Sequence, residues 1–143
     1  KKILPKYIHS FPINKNEICD AILAKDSNLK KIITIVHLEI RKKMNIFLKK
    51  NKNQVVVILD IPLLLENKIN NKDDVLVFVQ SKKINIFKKL RKRKNFNLKL
   101  YKQFKNIQLP LDYKKKKSQF VIKNDFTKKL VNKSIKKILK DIL

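Results

Sequence analysis

Asp60 closes a run of apolar, mostly β-branched residues, Val55-Val56-Val57-Ile58-Leu59, and Pro62 follows two positions later. Such a run reads as a parallel strand covered on both faces, delivering an acidic side chain at its carboxyl end. Proline has no N–H and a fixed φ, so Pro62 takes the chain out of the sheet. Ligands of open parallel sheets bind just beyond the carboxyl ends of the strands. Asp60 is therefore a carboxylate at the mouth of a candidate crevice, and the segment Asp60-Ile61-Pro62-Leu63-Leu64 continues to Glu66. Three other clusters have residue types fit for chemistry. His37-Leu38-Glu39-Ile40-Arg41 lies before the run, and Arg91 and Arg93 end a basic segment followed by Gln108, Leu109, Pro110 and Lys114. Val121-Ile122-Lys123-Asn124 is the last. Arginine meets phosphate bidentately where lysine offers a point charge, and only Arg41, Arg91 and Arg93 stand among 37 basic residues.

The elements that must position these groups follow from apolar spacing. Lys1 to Pro12 reads as a loop, the tail of something begun upstream. Asn14 or Asn16 caps a helix with Ile18, Ala21, Ile22 and Leu23. Asp26-Ser27-Asn28 is a break and a second cap. The next helix places Leu29, Ile32, Ile33, Val36, Ile40, Met44, Phe47 and Leu48 at helical spacing. Val55 to Asp60 is the first strand, a short helix or loop covers Leu63 to Ile69, and Val75 to Val79 is the second strand. Ser81 caps a helix with Ile84, Phe87 and Leu90. Its basic end, Arg91 to Lys94, is also what a helix C-terminus favours electrostatically. Asn97 to Gln108 is a helix that Pro110 breaks. Leu98, Tyr101, Phe104 and Ile107 lie on one face of it, Tyr101 and Phe104 as core more than as a stacking platform. Phe120 to Ile122 is a short strand, and Thr127 caps a last amphipathic helix with Leu130, Val131, Ile135, Ile138 and Leu139. The alternation predicts an α/β fold with a parallel sheet and flanking helices.

Composition limits the function classes. The chain has 143 residues, a formal net charge of +26, one cysteine, two histidines and no glycine. Lys, Asn and Ile dominate while Gly, Ala and Arg are scarce, as an AT-rich coding sequence would produce. The charge therefore does not by itself demand a nucleic acid or an anionic membrane. Cys19, alone, excludes an internal disulfide and reads as a core residue, and His9 and His37 make no zinc spacing. No apolar run is long enough to span a membrane and no signal peptide is visible. The expectation is a cytoplasmic monomer with no metal site among these residues and neither nucleic acid nor membrane as partner.

Taken together and in order, the clusters resemble dephospho-coenzyme A kinases. That family has a histidine helix ending in arginine, a D-x-P-L-L-x-E strand end, and an apolar second strand. It continues with a lid carrying arginine and then glutamine-x-proline-x-x-x-lysine, and with a V-I-x-N strand before the final helix. The likeness covers about Asn14 to Leu143. Leu38 stands where the family has proline. A chain without glycine also cannot contain the family's phosphate loop, G-x-x-x-x-G-K-[ST], because side chains would obstruct the approach of backbone N–H groups to phosphate.

The resemblance implies a P-loop kinase-like three-layer core with a helical lid, one kinase domain over 1–143 lacking its N-terminal strand or strands. Residues 14–51 would be its helical acceptor side, 55–80 and 120–143 its core, and about 88–117 its lid. It implies ATP and dephospho-coenzyme A as small-molecule substrates, with Mg2+ held mainly by the absent N-terminal part, and a fragment inactive alone. Arg93 would reach the ATP phosphates, with Lys89 one helical turn before it on the same face and Lys114 across the lid. Arg91 is a weaker candidate for the same role. Asn124 would lie near adenine, or serve only a turn. Asp60 would meet a ribose hydroxyl or a magnesium-bound water, or cap its own turn. Arg93 and Asp60 are thus the catalytic candidates, and His37, Arg41, Asp60 and Glu66 line the acceptor pocket. For His37 a buried structural role stands beside the ligand contact. The competing readings are a small basic nucleic-acid-binding protein, such as a ribosome-associated one, another nucleotide or nucleoside monophosphate kinase, and a decayed gene product.

Overall fold

The computed structural model describes residues 4–143; what the sequence suggested for residues 1–3 lies outside them. Among the described residues the fold is mixed α/β, with six helices and a small parallel sheet of two strands. The chain divides into two units: Lys1–Ile69 with Leu98–Ile107, and Asn70–Asn97 with Gln108–Leu143.

The first unit is helical. Asn14 caps α1 (Lys15–Ala24), its Oδ1 accepting the Asn16 N–H at 2.9 Å. α2 (Asp26–Lys50) follows after Lys25, and α4 (Leu98–Asn106) belongs to the same unit. Leu4, Ile8 and Ala21 form the buried centre, with Tyr7, Ile18 and Ile32 packed around it. Burial of each large side chain contributes about 1.5–3 kcal/mol, so this cluster holds the segment with Leu4 and Ile8 against the α1–α2 corner. Buried Asn28 serves that corner by donating from Nδ2 to the Ala21 carbonyl at 2.8 Å. α4 is tied to it by Gln103, whose Nε2 donates to the Ile22 carbonyl at 3.2 Å and to Asp26 Oδ1 at 2.9 Å.

Glu17 fastens the loop before α1. Its carboxylate accepts the Ser10 hydroxyl at 2.7 Å and the N–H groups of Ser10 at 3.1 Å and His9 at 3.3 Å. These bonds, the Ser10 hydroxyl first, hold its carboxyl below the usual range. The unfolded chain therefore takes up this proton at higher pH than the folded one. The stabilisation is complete above the unfolded carboxylate range and is lost as the pH falls through the lowered folded value. Glu17→Gln is expected to be less stable than the parent at neutral pH and to lose less of its stability on acidification. Thermal melts from neutral pH down through the carboxylate range check this; parallel curves for the two proteins would contradict it.

The second unit holds the sheet. β1 (Val77–Gln80) and β2 (Phe120–Lys123) pair in parallel, Val77 opposite Phe120 and Gln80 opposite Lys123. α3 (Lys83–Arg91), α5 (Leu111–Lys117) and α6 (Lys128–Ile142) complete it. α6 packs on β2, where Ile122 is the buried strand residue. The rings of Phe87 and Phe96 meet edge to face at 5.9 Å.

Several expectations need correction. Val55 to Asp60 does not form a strand; it is irregular backbone with Val55 84% and Ile58 81% exposed. A strand exists only through ladder partners for its N–H and C=O groups and cover for its faces, and among the described residues this run has no strand partner. The second strand lies two residues later than its apolar run begins, because Leu76 is engaged by Gln119, whose Oε1 accepts its N–H at 2.7 Å. Ser81 is not a helix cap. Lys82 is, and the Ser81 hydroxyl donates to the Asn124 carbonyl at 2.9 Å. The second helix has no side-chain cap, since its first residue is Asp26 and Asn28 is spent on Ala21. Val36 and Phe47, assigned to its apolar face, are each 46% exposed, as is natural where an apolar stripe is wider than the surface covering it. Thr127 occupies the N-cap position of α6 without a side-chain cap bond, because its hydroxyl donates to Asp125 Oδ1 at 2.7 Å.

Candidate active site

Two places gather the residues singled out above, one in each unit. In the first unit α2 sets His37 and Arg41 four residues apart, which brings both side chains onto one helix face. They meet the turn at 62–68 that follows the Asp60-Ile61-Pro62 segment. Arg41 Nη2 donates to the Asn67 carbonyl at 2.6 Å and to the Lys68 carbonyl at 3.3 Å. Asn67 Nδ2 donates to the Leu63 carbonyl at 3.0 Å and lies 3.4 Å from His37 Nε2. His37 is 8% exposed, and its Nδ1 is buried without a partner among the described residues. A buried polar group left unpaired costs about 1–3 kcal/mol. Glu66 lies half-buried in the same turn, and Asp60, just before it, is exposed.

The turn is strained. Leu63 at φ 55° and Lys68 at φ 48° are left-handed residues with side chains, where a Cβ costs about 1–2 kcal/mol. Glycine removes that cost, partly offset by the greater entropy it gives the unfolded chain. Lys68→Gly is therefore expected to stabilise the protein by ~0.5–1 kcal/mol, read as a higher denaturation midpoint in urea. A lower midpoint would mean that the Lys68 side chain holds the turn.

In the second unit a basic cleft of about 570 Å³ opens just beyond the carboxyl end of β2. Asn85, Lys88, Lys89, Arg91 and Lys92 of the α3 region line it with Asp125 and Phe126. Lys89 Nζ lies 5.2 Å over the Phe126 ring, and the Arg91 guanidinium 6.0 Å from the Phe87 ring. Phe126 stands at φ 68°, and its N–H donates to Asn124 Oδ1 at 2.8 Å. The Asp125 carboxyl is held below its usual range, first by the Thr127 hydroxyl. Asn124 is half-buried, donates its N–H to the Gln80 carbonyl at 2.8 Å, and borders a smaller cleft of about 200 Å³ with Phe126, Thr127 and Lys128.

Thus the structure brings Lys89 and Asn124 to one turn, through Phe126, and leaves Arg93 and Lys114 off the cleft lining. Arg93 is exposed beyond the end of α3, its N–H bonded to the Leu90 carbonyl at 3.0 Å. The sequence argument that placed Lys89 and Arg93 on one helical face is corrected by this, because α3 stops at Arg91. Lys114 is half-buried in α5. Phe126, Asn85, Lys88 and Asp125 escaped the sequence reading. Asn124-Asp125 is a turn pair and could have pointed to the ring beside it. Among the described residues no group of three His, Cys, Asp or Glu side chains is placed to hold a metal ion. No helix there is long and apolar enough to cross a membrane.

The site thus belongs to a mixed α/β protein with lysine and arginine gathered beyond the carboxyl end of a parallel strand. Comparison with known proteins makes the assignment particular. The family model of dephospho-CoA kinase (CoaE) matches residues 12–129, and the chain belongs to that family. It is 28% identical over 141 residues to the dephospho-CoA kinase of Wolbachia pipientis wMel, covering 97% of this chain and 72% of the relative. The dephospho-CoA kinase of Rickettsia conorii is 28% identical over 141 residues, with 99% and 72% covered. That of Bacillus thuringiensis subsp. konkukian is 36% identical over 97 residues, with 65% and 48% covered.

Proposed function

We propose that this chain serves dephospho-CoA kinase, the transfer of the ATP γ-phosphoryl group to the 3′-hydroxyl of dephospho-CoA, and that it carries the acceptor side and the lid. The family match over residues 12–129 carries the proposal. Phosphoryl transfer asks for positioning and for neutralisation of charge rather than covalent help. The α2 face would bind the acceptor: His37 and Arg41 reach toward it, with Glu66 and Asp60 from the adjoining segment. Arg41 is suited to an acceptor phosphate because its two bonds both run from Nη2, leaving the rest of the guanidinium fork for a ligand. Lys89 and the other cations of the basic cleft suit the triphosphate, Arg93 and Lys114 would close over it from about 88–117, and Asn124 would lie near the base. The P-loop kinase-like core, and a phosphate loop supplied from outside this chain, belong to the same proposal. The absence of any glycine supports the latter.

Calorimetric titration of the chain with dephospho-CoA tests the acceptor side. Saturable binding is expected, about tenfold weaker for Arg41→Ala, a loss of ~1.4 kcal/mol. Arg41→Lys should recover little, because an ammonium cannot reproduce the fork. Equal binding by all three would remove Arg41 from the acceptor site.

A further inference from the structure

Asn67 ties both acceptor-side residues to the 62–68 turn, and its amide has only one consistent orientation. Nδ2 lies 3.0 Å from the Leu63 carbonyl. A flipped amide would set two acceptor oxygens against each other there, so the nitrogen is the atom facing that carbonyl. The same Nδ2 has a second hydrogen, and it faces His37 Nε2 at 3.4 Å. Nε2 must then be the acceptor, which puts the proton of the neutral ring on Nδ1. Nδ1 is the ring atom that is buried and unpaired among the described residues. The Asn67 main chain meanwhile takes the shorter of the two Arg41 bonds, at 2.6 Å.

We infer that Asn67 is a positioning residue: its side chain selects the His37 tautomer that carries an Nδ1–H donor, and its carbonyl sets the Arg41 guanidinium, so that both serve the acceptor in one geometry. This rests on the reading of the α2 face as the acceptor side. His37 Nδ1–H is then a buried donor without a partner among the described residues, and an acceptor oxygen must reach it to satisfy it. An acceptor oxygen that pairs with it relieves an orphaned group.

Long-range 1H–15N spectra of the histidine-labelled chain, recorded with the imidazoles neutral and His9 assigned by His9→Gln, test this. The wild-type His37 ring is expected as the Nδ1–H tautomer. Asn67→Asp, nearly the same size but only an acceptor, is expected to reverse it to Nε2–H, and Asn67→Ala to lose the preference. Dephospho-CoA is expected to shift Nδ1 in the wild type and to bind Asn67→Asp severalfold more weakly while the melting curve stays cooperative. An Nε2–H ring in the wild type, or one tautomer in all three proteins, overturns the inference even where dephospho-CoA binds normally. Unchanged binding by Asn67→Asp with a reversed tautomer overturns the positioning role. No binding of dephospho-CoA by any of the proteins removes the acceptor-side reading itself, and the inference with it.

Discussion

Incubated with ATP and dephospho-CoA, the 143-residue chain is expected to form no coenzyme A. The physical ground is the phosphate loop. Backbone N–H groups must come within hydrogen-bonding distance of the β- and γ-phosphates, and they do so where glycine leaves the space open. The chain contains no glycine anywhere. Among the described residues the left-handed positions are held by Leu63, Lys68 and Phe126, each with a side chain. Positioning and neutralisation of charge supply nearly all of the catalysis in phosphoryl transfer, so without them the rate falls to the uncatalysed level. Chromatographic detection of coenzyme A above the no-protein control would contradict this.

The second large effect concerns Arg93. In the chain joined in frame to a relative's phosphate-loop segment, Arg93→Ala is expected to lower turnover by about a thousandfold, the lower end of what a transition-state arginine contributes. Its side chain is exposed and lies beyond the end of α3, so the change in stability should stay within ~0.5 kcal/mol. That combination separates a residue that meets developing charge from one that holds the fold. Unchanged turnover would remove Arg93 from the lid's catalytic group and shift attention to Lys88, Lys89 and Arg91 around the basic cleft.

What could be read from the sequence depended on how local its cause was. α1 was legible because Asn14 caps it and Ile18, Ala21 and Ile22 repeat at helical spacing, all within one segment. β1 and β2 were legible because each is a short apolar run bounded by polar residues. Val55 to Asp60 has the same pattern and yet is not a strand, because pairing depends on partners elsewhere and composition cannot supply them. The end of α3 was misjudged by three residues, Arg91 in place of Lys94, with neither glycine nor proline to mark it. At the site, His37 and Arg41 were visible as types and spacing. Asn67 was not, since its role arises from contacts with residues 30 and 26 positions away. Phe126 was hidden by a left-handed backbone that sequence rules reserve for glycine and asparagine.

The most direct measurement is coenzyme A formation by the chain joined to a relative's phosphate-loop segment, run beside the chain alone and the segment alone. The account predicts ATP-dependent conversion of dephospho-CoA to coenzyme A by the joined protein and none by either part. A folded joined protein that binds ATP but leaves dephospho-CoA untouched would contradict it.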